Sequence, residues 1–473
     1  MFPALLLFVI AWGVLSFGAV YSWAFRPLMA GAAACGLLLL SRSPRRRLHS
    51  LSVVLVSLVV LPILLQTIPL PHSVIESVAP FNASFLQAFD LRFVDGGAWH
   101  ALSVDPSLTL TSAAFLVIGA IWIAGVARGL GSSVSLVSLI RNIVLLSVLL
   151  SLLALAQKAM FNGKIYWFWE SQFGVTNNYF GPFVNRNHFA GWMLLTLSLG
   201  GGYFMGRIAV AGDRMKRGFR ERLLWIGSPQ GGGVLITGVA LMVMAVSLVW
   251  TLSRSGIAGA TVAITILMVA ATLRRATTVA RSALAAGLVV LAFGGAALWK
   301  GLNSLALWYG NTHSLEWRFA LWRDTLAPLK DFWLLGSGLN TYGTVMLLYP
   351  QTDTTVHAQQ THNDYLQLAV EGGLLVCIPV VIAIVLLARL MWVRLQQPQD
   401  EMTWWIRMGA IAGICGMAVQ EISEFSLQIP GVALLFATCV AIAIHEPAPA
   451  TVCRPQSRER RRSSRRVPDG AYA

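Results

Sequence analysis

The chain has 473 residues, 56% of them hydrophobic and only 12% charged, with a formal net charge of +15. A soluble domain carries about 25% charged residues, so an ordinary water-soluble globular fold is excluded. The positive charge is split among short segments that abut apolar runs, which reads as membrane topology and contact with anionic headgroups rather than as a nucleic-acid surface.

Apolar runs of about 17–25 residues, long enough to cross a bilayer, recur along the whole length. In chain order they predict spans at 4–22, 27–40, 51–70, 112–127, 134–157, 188–206, 234–252, 256–273, 282–299, 374–392, 404–422 and 431–446. The expected fold is an all-α polytopic integral membrane protein of about 12 transmembrane helices, with a large, partly helical periplasmic loop before the tenth span. Residues 1–446 form one transmembrane domain, and the basic tail 447–473 is expected to be disordered. The first run lacks a basic leader, and "SRSPRRR" soon after the second favours an anchored helical pair over a cleaved signal.

Orientation follows from arginine and lysine. With both ends cytoplasmic, 25 of the 35 basic residues fall in inner segments, against seven of the 20 acidic ones. The outer regions are then about 71–111, 158–187 and 300–373. The first reads as a folded cap on the membrane. None of the five cysteines lies in these loops, so they offer no disulfide framework and no CxxC metal site. Six of the eight histidines do fall outside: His72, His100, His188, His313, His357 and His362.

Within the second outer region "VNRNHFAGWM" opens a span. Arg254, in "TLSRSGIAG", sits in a tight outer turn between two apolar spans. It is either an arginine snorkelling to headgroups or a planar guanidinium fork for phosphate oxygens. "SLEWRFALWRDTLAPLKD" predicts an amphipathic helix from about 315 to 330. Leu315, Phe319, Trp322 and Leu326 form its apolar stripe, with Arg318 near the edge. Trp322 is placed to brace that guanidinium. "GSGLNTYG" has no preceding strand and reads as a turn. In "THNDYLQLAVEGG", Thr361 is expected as N-cap with Asp364 reaching back. His362 then lies in the first helical turn, whose positive end disfavours imidazolium and attracts phosphate. It is either a capping histidine or a general base. His357 and His362 are poorly spaced for a metal.

Together these pieces resemble the O-antigen ligase/polymerase-like superfamily, which includes lipopolysaccharide O-antigen ligases and protein O-oligosaccharyltransferases. The matching elements are "FVNRNHFAGWM", "TLSRSG", "EWRFALWRDTLAPLKDFWLLGSGLNTY" and "THNDYLQLAVEGG", over about 150–440. The resemblance implies an inverting, metal-independent transferase without a cofactor, in the bacterial inner membrane. Its donor would be an undecaprenyl-diphosphate-linked glycan on the periplasmic side. Its acceptor would be lipid A-core, a growing glycan or a protein. It implies Arg254 and Arg318 as diphosphate-binding arginines and His362 as acceptor-activating base, with Arg186 lining the site. Asn187, Arg323, Asn363 and Tyr365 join Arg186 as candidate substrate-binding residues. Glu371, Glu421 and Glu424 are candidates to face a flattened sugar, or else partners of the outer arginines.

A glycan exporter or lipid flippase is the competing class. It predicts charges along a path through the spans and an internal repeat. Here 234–252 and 256–273 are almost free of ionisable residues and the polar cluster gathers at one face, which favours the enzyme.

Overall fold

The computed structural model describes residues 2–42, 50–94, 99–130, 133–172, 179–211, 224–225, 227–274, 313–353 and 357–446. Among them eight helices are long and apolar enough to cross a membrane, and three shorter apolar helices accompany them. In chain order the bundle comprises α1 (Phe2–Leu15), α2 (Ser22–Arg42), α3 (Ser50–Leu65), then α4 (His72–Val78), α5 (Pro80–Phe89) and α6 (Leu91–Val94) in a cap. It continues with α7 (Pro106–Gly129), α8 (Ser133–Ala159), α9 (Arg186–Ala211), α10 (Pro229–Trp250) and α11 (Arg254–Leu273). After the undescribed stretch come α12 (His313–Asp331), α13 (Tyr342–Val345), α14 (Asp364–Gln396), α15 (Glu401–Gln420) and α16 (Pro430–Ile444). The chain is an all-α polytopic membrane protein. The expected ninth span, 282–299, and the basic tail lie outside the described residues.

Two strands of two residues, Pro69–Leu70 and His100–Ala101, pair antiparallel at the base of the cap. The third span is accordingly shorter than predicted: α3 stops at Leu65. The apolar residues that follow turn instead, because Gln66 leaves the helix to bond across the chain. Its Nε2 donates to the carbonyls of Leu335 (2.7 Å) and Glu371 (2.9 Å).

The core is built around α9, which is buried along most of its length. Its glycines permit this. A Cβ on Gly202 would strike the Trp405 carbonyl and Gly409 of α15, so the two helices pack backbone to backbone, as small residues allow in membranes. Polar side chains inside the bundle are paired: Ser151 with Ser247 (2.9 Å), Trp192 Nε1 with Ser147 Oγ (3.2 Å) and Trp122 Nε1 with Thr438 Oγ1 (3.0 Å).

Helix α14 does not begin at the tenth predicted span but ten residues earlier, and it breaks at Gly373, whose φ of 57° suits only glycine readily. Freed backbone groups must find partners inside a membrane protein. The run 333–338 supplies them. Leu374 N and Leu375 N donate to Trp333 O (2.8 Å) and Leu334 O (2.9 Å), while Ser337 N and Gly338 N donate to Val370 O (3.2 Å) and Glu371 O (2.9 Å). The "GSGLNTYG" turn is thereby docked, with Gly336, Gly338 and Asn340 at positive φ.

Candidate active site

Three helix ends and one loop meet at a single point on the face that carries the cap. Helix α9 starts there because the Asn185 side chain caps it, its Oδ1 accepting from Asn187 N at 2.9 Å. Helix α11 starts there because Ser253 caps it, accepting from Gly256 N at 3.3 Å. Arg186 and Arg254 are thus the first residues of their helices, both half-buried. Arg318 enters from α12, and the loop 421–429 after α15 brings Glu424.

Glu424 is the hub. Its side chain is 1% exposed, and it forms an ion pair with Arg318 through Oε1, which also accepts from Asn187 Nδ2 at 2.6 Å. Its Oε2 lies 3.8 Å from His362 Nδ1. Arg186 feels the charges of Glu424, Arg318 and Arg254, so the carboxylate and all three guanidinium groups act on one position. Burial works to raise the Glu424 carboxyl, but the His362 imidazole and the Arg318 guanidinium outweigh it and hold it below the ordinary carboxylate range.

Aromatic rings wall the cluster. Phe425 meets His188 and His362 edge-on, each at 4.8 Å, and Trp317 meets His362 at 5.4 Å. His188 is buried, and among the described residues its Nε2 has no hydrogen-bond partner, nor do His362 Nδ1 and Glu424 Oε2. Buried polar atoms are normally bonded. Several unbonded ones in one enclosure mark a place arranged for a polar ligand. Among the described residues no group of three or more His, Cys, Asp or Glu is placed to hold a metal ion.

Several local expectations need correction. Thr361 is not the N-cap of α14. Asn363 is, its Oδ1 accepting from Leu366 N at 3.0 Å. The Thr361 hydroxyl is taken instead by a tight turn, accepting from Asn363 N (3.0 Å) and donating to Asn363 O (2.6 Å). His362 therefore lies just before the helix rather than in its first turn, at φ 51° in the left-handed region. Asp364 does not reach back either; it accepts from Gln428 Nε2 at 2.7 Å.

On α12 the buried face is Leu321 and Thr325, with Thr325 Oγ1 bonded to Tyr342 OH at 2.8 Å. The predicted stripe points the other way, Phe319 and Leu326 being exposed, as apolar side chains are on a helix lying at a bilayer surface. Arg318, three and seven residues before Leu321 and Thr325, consequently points inward. Trp322 turns to Thr361, donating to its carbonyl at 3.0 Å, and meets Phe319 edge-on at 5.3 Å.

The remaining candidates are dispersed. Tyr365 OH donates to Ala418 O at 2.6 Å, and Arg323 is exposed beside Thr352, 3.5 Å away. Of the three glutamates only Glu424 pairs with an arginine. Glu371 accepts from Asn340 N (2.8 Å), Tyr342 N (3.1 Å) and Gln367 Nε2 (3.0 Å), holding the docked turn in place. Glu421 accepts from Ser426 N at 2.8 Å through its side chain and from Asp364 N at 3.1 Å through its carbonyl. His188 was not singled out from sequence. The available signal was a histidine two residues after Arg186 on a helix with no polar face.

No curated protein matches the chain. The family model described as O-antigen ligase matches residues 239–381, a stretch that contains Arg254, Arg318 and His362 but neither Asn187 nor Glu424. Over these residues the chain is similar to that family, which suggests a glycan-transferring membrane enzyme.

Proposed function

We propose that the chain transfers a glycan from a polyprenyl-diphosphate carrier to an acceptor hydroxyl, at the periplasmic face of the bacterial inner membrane with both termini cytoplasmic. The observation that carries this reading is the pairing of Arg318 with the buried Glu424, with an imidazole beside it and with Arg186 in the field of Glu424, Arg318 and Arg254. A diphosphate brings at least two negative charges, and rigid guanidinium forks bind its oxygens bidentately. The opposite face of Glu424 holds Arg318 and Asn187 in register before the donor arrives.

The chemistry follows from these positions. His362 takes the proton of the acceptor hydroxyl as the oxygen attacks the anomeric carbon. The new C–O bond forms while the bond to the diphosphate breaks, and the diphosphate leaves with the electron pair, so the configuration inverts. The arginines stabilise the charge that develops on the leaving oxygens, with no metal required. Glu424, facing Nδ1, orients the ring so that Nε2 meets the acceptor, in the manner of a carboxylate behind a catalytic histidine. Phe425 and Trp317 keep bulk water from the imidazole.

Reconstitution with a polyprenyl-diphosphate glycan tests the reading, with lipid A-core, glycan and protein acceptors in separate arms and mass analysis of products. A covalent glycan–acceptor product with free polyprenyl diphosphate is expected in one arm. Movement of the lipid-linked glycan across the bilayer without a new bond would sink the enzyme reading in favour of a flippase.

A further inference from the structure

His362 and Glu424 reside on different segments, one before α14 and one after α15. Something must hold the two at 3.8 Å. Two residues beyond His362, Asp364 N donates to Glu421 O at 3.1 Å, which brings the two acidic residues together so that each feels the other's charge. Every other oxygen contact there comes from a donor: Gln428 Nε2 to Asp364 Oδ1 (2.7 Å) and Ser426 N to Glu421 Oε2 (2.8 Å). Glu421 is 1% exposed, and its Oε1 has no N–H or O–H partner among the described residues. Two carboxylates brought together in this way cannot both be ionised.

We propose that Asp364 and Glu421 share one proton and that this acid–carboxylate clasp is a positioning device, fixing the distance between His362 and Glu424. Neither residue touches the reacting atoms. The inference rests on the glycan-transfer reading for its consequence, though not for the shared proton itself. The groups facing the pair are His362, Glu424, Glu371 and Tyr365. Glu424 and Glu371 add to the repulsion on the pair, and the His362 imidazole opposes it. Burial and then the Asp364 charge push the Glu421 carboxyl well above the ordinary carboxylate range. A group raised in the folded protein contributes stability that is full below its unfolded pKa and is lost as pH rises through the folded one. The clasp therefore opens on the alkaline side, spreading His362 from Glu424.

An amide replaces the shared proton by a donor that does not titrate. Glu421→Gln and Asp364→Asn are expected to transfer glycan at near wild-type rate at neutral pH and to keep that rate at the alkaline pH where the wild type has fallen to half. Asp364→Ala, which leaves no donor or acceptor, is expected to lose about tenfold in kcat, within the range of a misplaced catalytic group, with the donor KM little changed. Independently of activity, the infrared carbonyl band of a protonated carboxyl is expected in the wild type at neutral pH and diminished in Glu421→Gln. An alkaline limb of Glu421→Gln that coincides with the wild type, or an unchanged carbonyl band, would overturn the clasp. His362→Ala run alongside separates the two claims: if it transfers normally the glycan-transfer mechanism fails, while the infrared result still decides the shared proton.

Discussion

Arg407, buried, and Arg318, half-buried, are arginines on helices at opposite ends of one bundle. Arg407 is fully enclosed and spends its donors on protein: Gln399 Oε1 (3.2 Å), Ala443 O (2.9 Å) and His445 O (3.0 Å). It closes the C-terminal end of α16, where unpaired carbonyls and the helix dipole both favour a cation. Arg318 meets a buried carboxylate whose second oxygen, like the nearby His188 Nε2 and His362 Nδ1, has no hydrogen-bond partner among the described residues. The Arg407 guanidinium is satisfied by protein, while the groups around Arg318 are not. Burial of a charge is therefore no guide to function by itself; what counts is whether its surroundings are already satisfied.

The sharpest way to break the comparison is to remove one group from each end. Removing a positioned general base costs about 10²–10⁴-fold in rate, so His362→Ala should be nearly inactive at unchanged melting temperature and unchanged donor binding. Arg407→Met should do the reverse. Leaving its carbonyl partners unsatisfied costs about 1–3 kcal/mol of stability, while transfer per folded molecule stays close to wild type. If Arg407→Met abolishes transfer in folded protein, the two ends are not functionally distinct.

Arg254→Lys and Arg318→Lys come next. Lysine keeps the charge and loses the fork, so both should lose most of their transfer and weaken donor binding. In Arg318→Lys the Glu424 pair survives as a point contact, and folding with it. A lysine variant that transfers at wild-type rate would reduce that arginine to a headgroup anchor.

Glu424→Gln should act on stability as well as rate. The Glu424 carboxyl is held below its ordinary range, so its contribution is present above the unfolded pKa and lost as pH falls through the folded one. Wild-type melting should thus drop on acidification below the ordinary carboxylate range, and Glu424→Gln should flatten that drop, starting from a lower plateau at neutral pH. Parallel acid limbs for the two proteins would show that Glu424 is not the group responsible. The smallest effect belongs to Arg323→Ala. An exposed residue beside Thr352 should cost no more than about 0.5 kcal/mol and leave donor binding intact.

Most of the bundle was legible because lipid-facing helices must be apolar along their whole length, and eleven of the expected spans find described helices. Their ends were less so. Residues 66–70 were expected to prolong α3, but Pro69 cannot continue a helix, and Gln66 is bonded across 269 and 305 residues of sequence. The arginines and His362 were visible because charge in an apolar chain stands out. Glu424 could only be a candidate, since what distinguishes it from Glu371 and Glu421 is its partners, and Asn187 is 237 residues away. The cap of α14 failed for a local reason: Thr361 and Asn363 both suit an N-cap, and the hydroxyl was engaged in the preceding turn.

The break at Gly373 also separates two mechanical roles. At 1.5 Å per residue the 33 residues of Asp364–Gln396 would span roughly 50 Å as one rod, against a hydrocarbon core of about 30 Å. The portion beyond the break is close to membrane length, while the first turns are bonded to the 333–338 run. Thickness changes in the bilayer can be met by tilt below Gly373, leaving His362 among Glu424, Trp317 and Phe425. Transfer should hold nearly constant between thin and thick lipid bilayers, and a rate that tracks acyl-chain length would mean that the helix transmits its tilt to the imidazole.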